Sequence, residues 1–365
     1  MAAIGSDAND PALRRLIDAV ATARAERVAL DLRGGGTKAF YGEPPRGRPL
    51  EMAALAGITA YEPSELVVTA RAGTPLTELE ATLAERGQCL PFEPPRFAAG
   101  GTVGGMVAAG LAGPARVSAG SLRDHVLGAT ILNGRVELQT FGGQVIKNVA
   151  GYDVARVFAG SWGILGAVLE VSLKVLGVRP ASATQVLESD ESDARRRLAA
   201  WSAKPWQLAA SAWCEDRLYL RFAGARSAVG ECGGISLDPD AASAWWTGLR
   251  DQRHPFFALA AGAAAAGETL WRVSLPPTAP LRELGGARLL EWGGALLWWR
   301  GRADPGALRD AARAAGGHAT LVRAADKRAG AHQPLEPALL EIHRRLKDAF
   351  DPERIFNPGR LYAEL

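Results

Sequence analysis

Three clusters of glycine carry the chemistry this sequence is built to do. Arg33, Gly34, Gly35, Gly36, Thr37 and Lys38 follow a short β-like run over residues 28–32, and glycines placed there let backbone N–H groups turn toward an anion with no side chain in the way. A pyrophosphate is the natural guest. The glycine-to-lysine spacing is not that of a Walker A loop. Gly34, Gly36 and Ala39 fit the loose Gly-x-Gly-x-x-Gly/Ala pattern of dinucleotide folds, but residues 40–49 are rich in Gly and Pro where that fold needs a helix. An ordinary turn is the alternative reading of this loop. The second cluster, Gly100, Gly101, Thr102, Val103, Gly104 and Gly105, opens a run of small residues over 106–113. It permits close backbone approach, which helix packing through small residues would also explain. The third, Gly160, Ser161, Trp162, Gly163, Ile164, Leu165 and Gly166, leads into an alternating strand, as a plain turn would. Three such clusters within one domain suggest a single extended ligand lying across several turns.

The titratable residues add less. The histidines stand apart at positions 125, 254, 318, 332 and 343, with no pair at metal-ligand spacing. His343 lies among Leu339, Ile342 and Leu346 on a helix and reads as a core-edge histidine. His125 reads as a partly exposed side chain at a strand entrance. His254, beside Phe256 and Phe257, is the better candidate for chemistry, although a hydrophobic corner fits it equally. Cys89, Cys214 and Cys232 are too few and too scattered for a four-thiolate cluster and show no Cys-x-x-Cys pairing. They read as buried small hydrophobes. Their odd number, with no N-terminal signal segment, fits reduced thiols in a cytoplasm.

A chain of 365 residues with 48% hydrophobic content and a net charge of +3 can fill two cores. Its basic residues form no dense stripe, which excludes nucleic acid as an expected partner. The most apolar stretch, residues 256–266, falls short of the roughly 20 residues that span a bilayer. The chain is therefore expected to be soluble or attached peripherally.

The elements that must hold the glycine turns are legible from periodicity. Asp10 and Pro11 read as the cap and first position of a helix with Leu13, Leu16, Ile17 and Val20 on one face. A strand over 66–70 precedes a helix capped by Thr74 and Pro75, carrying Leu76, Leu79 and Leu83 and ended by Gly87. Runs over 126–132 and 136–138 flank Asn133-Gly134, a tight-hairpin signal. Leu169, Val171, Leu173 and Val175 alternate with Glu170, Ser172 and Lys174, predicting one buried and one wet face. The first domain is thus a mixed α+β unit. The character changes near Arg179 and Pro180, and nine of the ten tryptophans lie from Trp201 onward. Most of these read as core bulk.

The order RGGGTK, YEPSELVVTARAGTPLTELE, LPFEPP, GGTVGGMVAAGLAGP, DHVLGATILNG, KNVAGYD and GSWGILGAVLEVSLKVL resembles the FAD-binding domain of the vanillyl-alcohol oxidase (PCMH-type) superfamily. Further on, HPFF, LWRVSLPP, EWGGALLWW and FDPERIFNPGRLY are similar to the FAD-binding subunits of glycolate oxidase. The resemblance implies an α+β fold. A PCMH-type domain of two α+β subdomains would span residues 1–178 and a smaller α+β cap-like domain 179–333. A C-terminal helix and tail, 334–365, would pack back on the first domain. It implies non-covalent FAD, because Thr37 stands where covalently flavinylated relatives carry a histidine. It places Arg33, Gly34, Gly35, Gly36, Thr37 and Lys38 at the cofactor, with the pyrophosphate on the loop from Gly34 onward. Gly101, Thr102, Gly104, Gly105 and Gly120 would lie along it, and Gly166 and Val168 would meet it through backbone. It also implies a small 2-hydroxy acid, such as glycolate, as the reductant. A larger catalytic flavoprotein subunit and an iron–sulfur subunit would be the partners, in the cytoplasm or at the inner membrane through the complex. Catalytic relatives carry a metal-binding histidine cluster that is not legible here, and no base can be named. A self-sufficient FAD dehydrogenase and a structural subunit with a decayed flavin site remain the rival expectations.

Overall fold

Asp10 opens the first helix by accepting the N–H groups of Ala12 at 2.7 Å and Leu13 at 3.4 Å, and Pro11 takes the first helical position. The helix α1 (Pro11–Glu26) buries Leu13, Leu16, Val20 and Ala23. These and all following observations come from a computed structural model, which describes residues 10–144, 152–202, 207–225, 232–259, 267–279 and 285–365.

After α1, strand β1 (Leu30–Arg33) pairs in parallel with β2 (Arg48–Glu51). No helix lies between them. The chain instead turns through residues 40–47, which removes the support a dinucleotide fold would need. A five-stranded antiparallel sheet follows, from β3 (Ile58–Glu62), β4 (Val67–Arg71), β6 (Val126–Leu132), β7 (Leu138–Gly142) and β8 (Ala167–Lys174), in the spatial order β3-β4-β8-β6-β7. The short strands β5 (Gln88–Cys89) and β9 (Leu176–Gly177) pair beside it. Helices α2 (Leu76–Ala84) and α3 (Val103–Ala109) pack Leu76, Leu79, Leu83, Val103 and Met106 into the same core as Val171 and Leu173.

Two sequence expectations are corrected. Strand β8 has no wet face: seven of its eight residues are buried. It is the central strand, and its polar side chains find partners instead of water. Thr59 Oγ1 donates to Glu170 Oε2 at 2.7 Å, and the Ser172 and Thr69 hydroxyls bond at 2.9 Å. The turn at Asn133-Gly134 is wider than a two-residue hairpin, and β7 begins only at Leu138. The Asn133 carboxamide oxygen accepts both Arg135 and Glu137 N–H at 2.9 Å, and Val136 sits at φ 66°, so a side-chain-capped loop replaces the tight turn.

The chain then enters an eight-stranded antiparallel sheet made of β10 (Ala181–Glu188), β11 (Leu208–Cys214), β12 (Arg217–Gly224), β13 (Ile235–Ser236), β14 (Thr269–Ser274), β15 (Ala287–Glu291), β16 (Leu296–Gly301) and β17 (His318–Arg323). Their order is β13-β10-β12-β11-β15-β16-β14-β17. Period-two alternation divides the sheet into two faces. Trp271, Val273, Leu297, Trp299 and Leu321 pack under the helices Glu191–Ser202 and Pro305–Ala314. Leu270, Leu296, Trp298 and Val322 cluster instead with Tyr41, Trp246 and Phe257.

The C-terminal helix Pro337–Phe350 hands over to a tail that returns to the start of the chain. Leu30 N–H donates to the Ile355 carbonyl at 2.6 Å, and Asn357 N–H donates to the Leu30 carbonyl at 2.9 Å, so the tail runs parallel beside β1. Lys347 anchors the return. Its fully buried Nζ donates to Asp351 Oδ2 at 2.7 Å and to the carbonyls of Ile164 at 2.6 Å and Phe356 at 2.9 Å.

Candidate functional site

The three glycine clusters meet around one cavity of about 320 Å³. Arg33, Gly34, Gly35, Gly36, Thr37 and Lys38 line one side, Thr102, Gly104 and Gly105 another, and Trp162, Gly163, Gly166 and Val168 a third. Among the described residues, the backbone N–H groups of residues 34–38 donate to no protein acceptor, whereas Ala39 N–H closes a turn onto the Gly36 carbonyl at 3.1 Å. Five consecutive unpaired donors beside a cavity form a ready seat for an anion.

The first two glycine loops press together so closely that side chains are excluded. A Cβ at Gly35 would lie 1.5 Å from the Gly100 carbonyl oxygen, and one at Gly34 would lie 2.3 Å from Thr102 Oγ1. Thr102 is fixed in turn as the cap of α3, its Oγ1 accepting Gly105 N–H at 3.2 Å. Gly101 and Gly120 are not part of the cavity wall. The Gly101 carbonyl accepts Leu76 N–H at 2.8 Å at the start of α2, and Gly120, at φ 87°, ends the short turn Arg116–Ala119 beside Asp124 and His125. Of the KNVAGYD motif, residues 147–151 lie outside the described residues.

Lys38 brings a buried ammonium to the cavity with no carboxylate at salt-bridge distance among the described residues, and burial lowers its pKa to about 8. Arg33, by contrast, pairs with the buried Asp31 on the cavity wall.

The tail supplies wall residues to which no role was given from sequence. Asn357 Oδ1 accepts Leu32 N–H at 2.7 Å while its Nδ2 donates to the Trp162 carbonyl at 2.6 Å. Arg360 Nη2 donates to the Ala39 carbonyl at 3.2 Å, and its guanidinium lies 5.1 Å from the Trp162 ring centre. The motif NPGRLY marked this segment, but its spatial neighbours lie more than 190 residues away: 195 for Trp162 and 321 for Ala39.

Trp162 and Ala109 are shared with a second cavity of about 380 Å³, which lies between the first domain and the eight-stranded sheet. Tyr41 stacks on Trp162 at 5.4 Å where the two cavities adjoin. The sheet contributes Arg272, Ser274, His318 and Thr320, alternate positions of β14 and β17 that point one way. His332 joins them because Leu321 N–H donates to the Ala331 carbonyl at 2.7 Å and draws that segment alongside β17. Burial, and then the charges of Arg360 and Lys327, push the His332 imidazole down to about 4, so it is neutral. Burial and Arg272 lower His318 as well. Burial raises the Glu291 carboxyl to about 7, even though the Trp298 indole N–H donates to it at 2.8 Å.

His318 and His332 are 14 residues apart, and the hydrogen bond from Leu321 N–H to the Ala331 carbonyl brings them to one cavity. Among the described residues, no group of three or more His, Cys, Asp or Glu gathers to hold a metal. His254, the sequence-based candidate for chemistry, is elsewhere. It caps the turn Pro255–Phe257 by accepting Phe256 N–H at 3.3 Å, as the hydrophobic-corner reading has it. His343 Nδ1 bonds the Leu339 carbonyl within its own helix, and His125 Nε2 bonds the Ala119 carbonyl and is buried, not partly exposed.

Comparison with known proteins agrees with this arrangement. Residues 13–142 match the FAD binding domain family and residues 325–361 match the FAD linked oxidases, C-terminal domain family. The chain is 42% identical to glycolate oxidase subunit GlcE of Escherichia coli (strain K12), covering 96% of this chain and 97% of that protein. It is 29% identical to glycolate oxidase subunit GlcD of Bacillus subtilis (strain 168), over 41% of this chain and 32% of that one. It is also 28% identical to the mitochondrial D-lactate dehydrogenase [cytochrome] of Arabidopsis thaliana, over 39% of this chain and 25% of that one. Among solved structures, an alkyldihydroxyacetonephosphate synthase superposes with a TM-score of 0.64 at 13% identity, covering 94% of this chain and 75% of that one. That likeness speaks for the fold.

Proposed function

The chain belongs to the glycolate oxidase subunit family of FAD-linked oxidoreductases, and from that premise we propose that it holds FAD non-covalently in the first cavity. It would serve there as one subunit of a complex that oxidises a small 2-hydroxy acid. The observation that carries this reading is the row of unpaired N–H groups over residues 34–38, beside loops packed so closely against Gly100 and Thr102 that no side chain fits between them. Residues 34–38 seat the pyrophosphate. Thr102, Gly104, Gly105, Gly166 and Val168 line the remainder, and Asn357 and Arg360 close it from the tail. FAD supplies an acceptor for the two electrons that leave the α-carbon of the acid. Thr37 offers no imidazole for covalent attachment at this loop.

Electrons would pass to an iron–sulfur subunit, since this chain's three cysteines are free and, among the described residues, no group of three or more His, Cys, Asp or Glu gathers. We place the complex in the cytoplasm, where thiols such as that of Cys214, raised by burial to about 12, stay reduced. Among the described residues, no helix is long and apolar enough to cross a membrane. Any attachment to the inner membrane would be peripheral and through partners.

An absorbance spectrum of the purified chain, repeated on the supernatant after acid precipitation, tests the proposal. Flavin bands should be present and should move to the supernatant. A colourless protein that takes up no added FAD would overturn it and leave a structural subunit. Turnover of glycolate with an artificial acceptor should be slight for the lone chain and restored by its partners.

A further inference from the structure

We propose that Lys327 is a positioning residue for the first cavity: reaching across from the segment after β17, its ammonium brackets the backbone on either side of Tyr41 and so sets the wall into which the first glycine loop runs. This rests on the flavin reading of that cavity and extends it, because closure of the FAD site then depends on a side chain from far along the chain.

The segment that leaves the glycine loop needs such a holder. Residues 40–47 form neither helix nor strand, and among the described residues the carbonyls of Phe40 and Gly42 accept no backbone N–H. Lys327 Nζ supplies the donors, at 2.6 Å to Phe40 and 3.3 Å to Gly42, across 287 and 285 residues of sequence. These two carbonyls flank Tyr41, which is buried and stacks on Trp162 with the ring planes 13° apart. Trp162 lines both cavities, so whatever fixes Tyr41 fixes the wall between them. The bracket also reaches back toward the anion seat. Tyr41 N–H donates to the Lys38 carbonyl at 3.0 Å and Ala39 N–H to that of Gly36 at 3.1 Å, so a displaced Tyr41 pulls on the end of the row of free donors over residues 34–38.

Lys327 is itself held in place. Gly330 N–H donates to the Lys327 carbonyl at 2.8 Å, and Arg309 donates to the carbonyls of Ala329 at 2.7 Å and Gly330 at 2.6 Å, which fixes the turn that presents the ammonium. The Glu43 carboxylate accepts Ala331 N–H and ties the next part of the 40–47 segment to the same turn. An ammonium suits the task, since three rotatable donors on a flexible stem can meet two carbonyls at once. Burial and the charge of Arg360 lower its pKa to about 8, with Glu43 opposing, so at neutral pH it stays charged. Two further cations touch the segment without bracketing Tyr41. The Arg323 guanidinium lies 4.8 Å from the Phe40 ring centre, and Arg360 Nη2 reaches the Ala39 carbonyl.

Titration of the flavin-free full chain with FAD, followed by flavin fluorescence, tests this together with amide hydrogen exchange read by mass spectrometry. Lys327→Met should weaken FAD binding at least tenfold, and Lys327→Arg, which keeps the charge and the donors, should recover most of that loss. Arg195→Met is the control. It gives up bonds to two carbonyls, those of Pro277 and Gly294, and should lower Tm while binding FAD as tightly as the parent. In the flavin-free Lys327→Met protein the amides of Ala39, Tyr41 and Glu43 should exchange faster than in the parent, with those of β8 unchanged. FAD affinity in Lys327→Met equal to the parent's would overturn the proposal, as would an equal loss in Arg195→Met or unchanged exchange over residues 39–43. Should Lys327→Met fail to fold, Lys327→Gln takes its place, and parental affinity in that variant counts against the proposal in the same way. A parent protein that takes up no FAD at all would instead remove the flavin reading, and this role with it.

Discussion

The side chain of Asn357 donates to the carbonyl oxygen of Trp162 at 2.6 Å, tying the tail of the chain to the third glycine turn. Its carboxamide oxygen is occupied as well, by Leu32 N–H at 2.7 Å. One side chain therefore spans from the end of β1 to the opposite wall of the first cavity.

Asn357→Ala should leave both backbone groups without partners, at a cost of about 1–3 kcal/mol each where they are buried. The flavin-to-protein absorbance ratio after gel filtration is expected to fall well below that of the parent, while far-ultraviolet dichroism stays unchanged. Deleting residues 351–365 should abolish flavin retention, and full retention would refute the role given to the tail.

Gly35→Ala should abolish FAD binding, since the added methyl would fall 1.5 Å from the Gly100 carbonyl. Gly87→Ala makes the useful contrast. Gly87 sits at φ 62° with open space around it, so alanine there should cost only about 1–2 kcal/mol of backbone strain and leave flavin content intact. Equal flavin loss in the two would show that strain, and not the closed cradle, governs binding.

Glu291 should make stability depend on pH. Its folded-state pKa is raised from 4.5 to about 7, chiefly by burial. The protonated form is therefore the favoured one in the fold. The stabilisation it brings is fully present below about pH 4.5 and is lost as pH rises through about 7. Glu291→Gln keeps an acceptor for the Trp298 indole and removes the titration. Chemical denaturation of both proteins between pH 5 and 8 should show the parent losing up to about 3 kcal/mol relative to the variant. A difference that stays flat with pH would refute this.

Lys347→Met should be among the most damaging single changes. It leaves the fully buried Asp351 without its cation, and breaking a buried pair in this way costs about 3–5 kcal/mol. A large fall in Tm is expected, and Lys347→Met with Asp351→Asn should recover part of it, because Asn removes the unpaired buried charge while its one carboxamide oxygen still accepts one of the two N–H groups, of Ile355 and Phe356, that Asp351 holds.

What the sequence made legible, and what it did not, follows from the range of the interactions. Asp10, Pro11 and the apolar periodicity of α1 act within a few residues, and so did the exclusion of a helix after Gly36. The three glycine clusters were legible as turns because glycine's freedom is local, although that Gly35 meets Gly100 is not. Strand β8 misled because Glu170 and Ser172 look solvated until Thr59 and Thr69 are seen to bond them. The second cavity was illegible for the same reason. Arg116, Arg272, His318 and His332 come from four segments, set together by the register of β14 with β17, the Leu321–Ala331 hydrogen bond and the contact of Trp292 with Gly113.

The parallel run of Ile355 and Asn357 beside Leu30 also has a consequence for the order of synthesis. Leu32 and Asn357, which this pairing joins, lie 325 residues apart in the chain. At about 5–20 residues per second, the ribosome delivers Asn357 roughly ten to forty seconds after Trp162, the partner it bonds 195 residues earlier. During that interval the glycine loops stand complete with one wall missing. On the proposed reading, cofactor capture would wait until the tail is made, and a nascent chain stalled before Asn357 would carry an open, empty cradle.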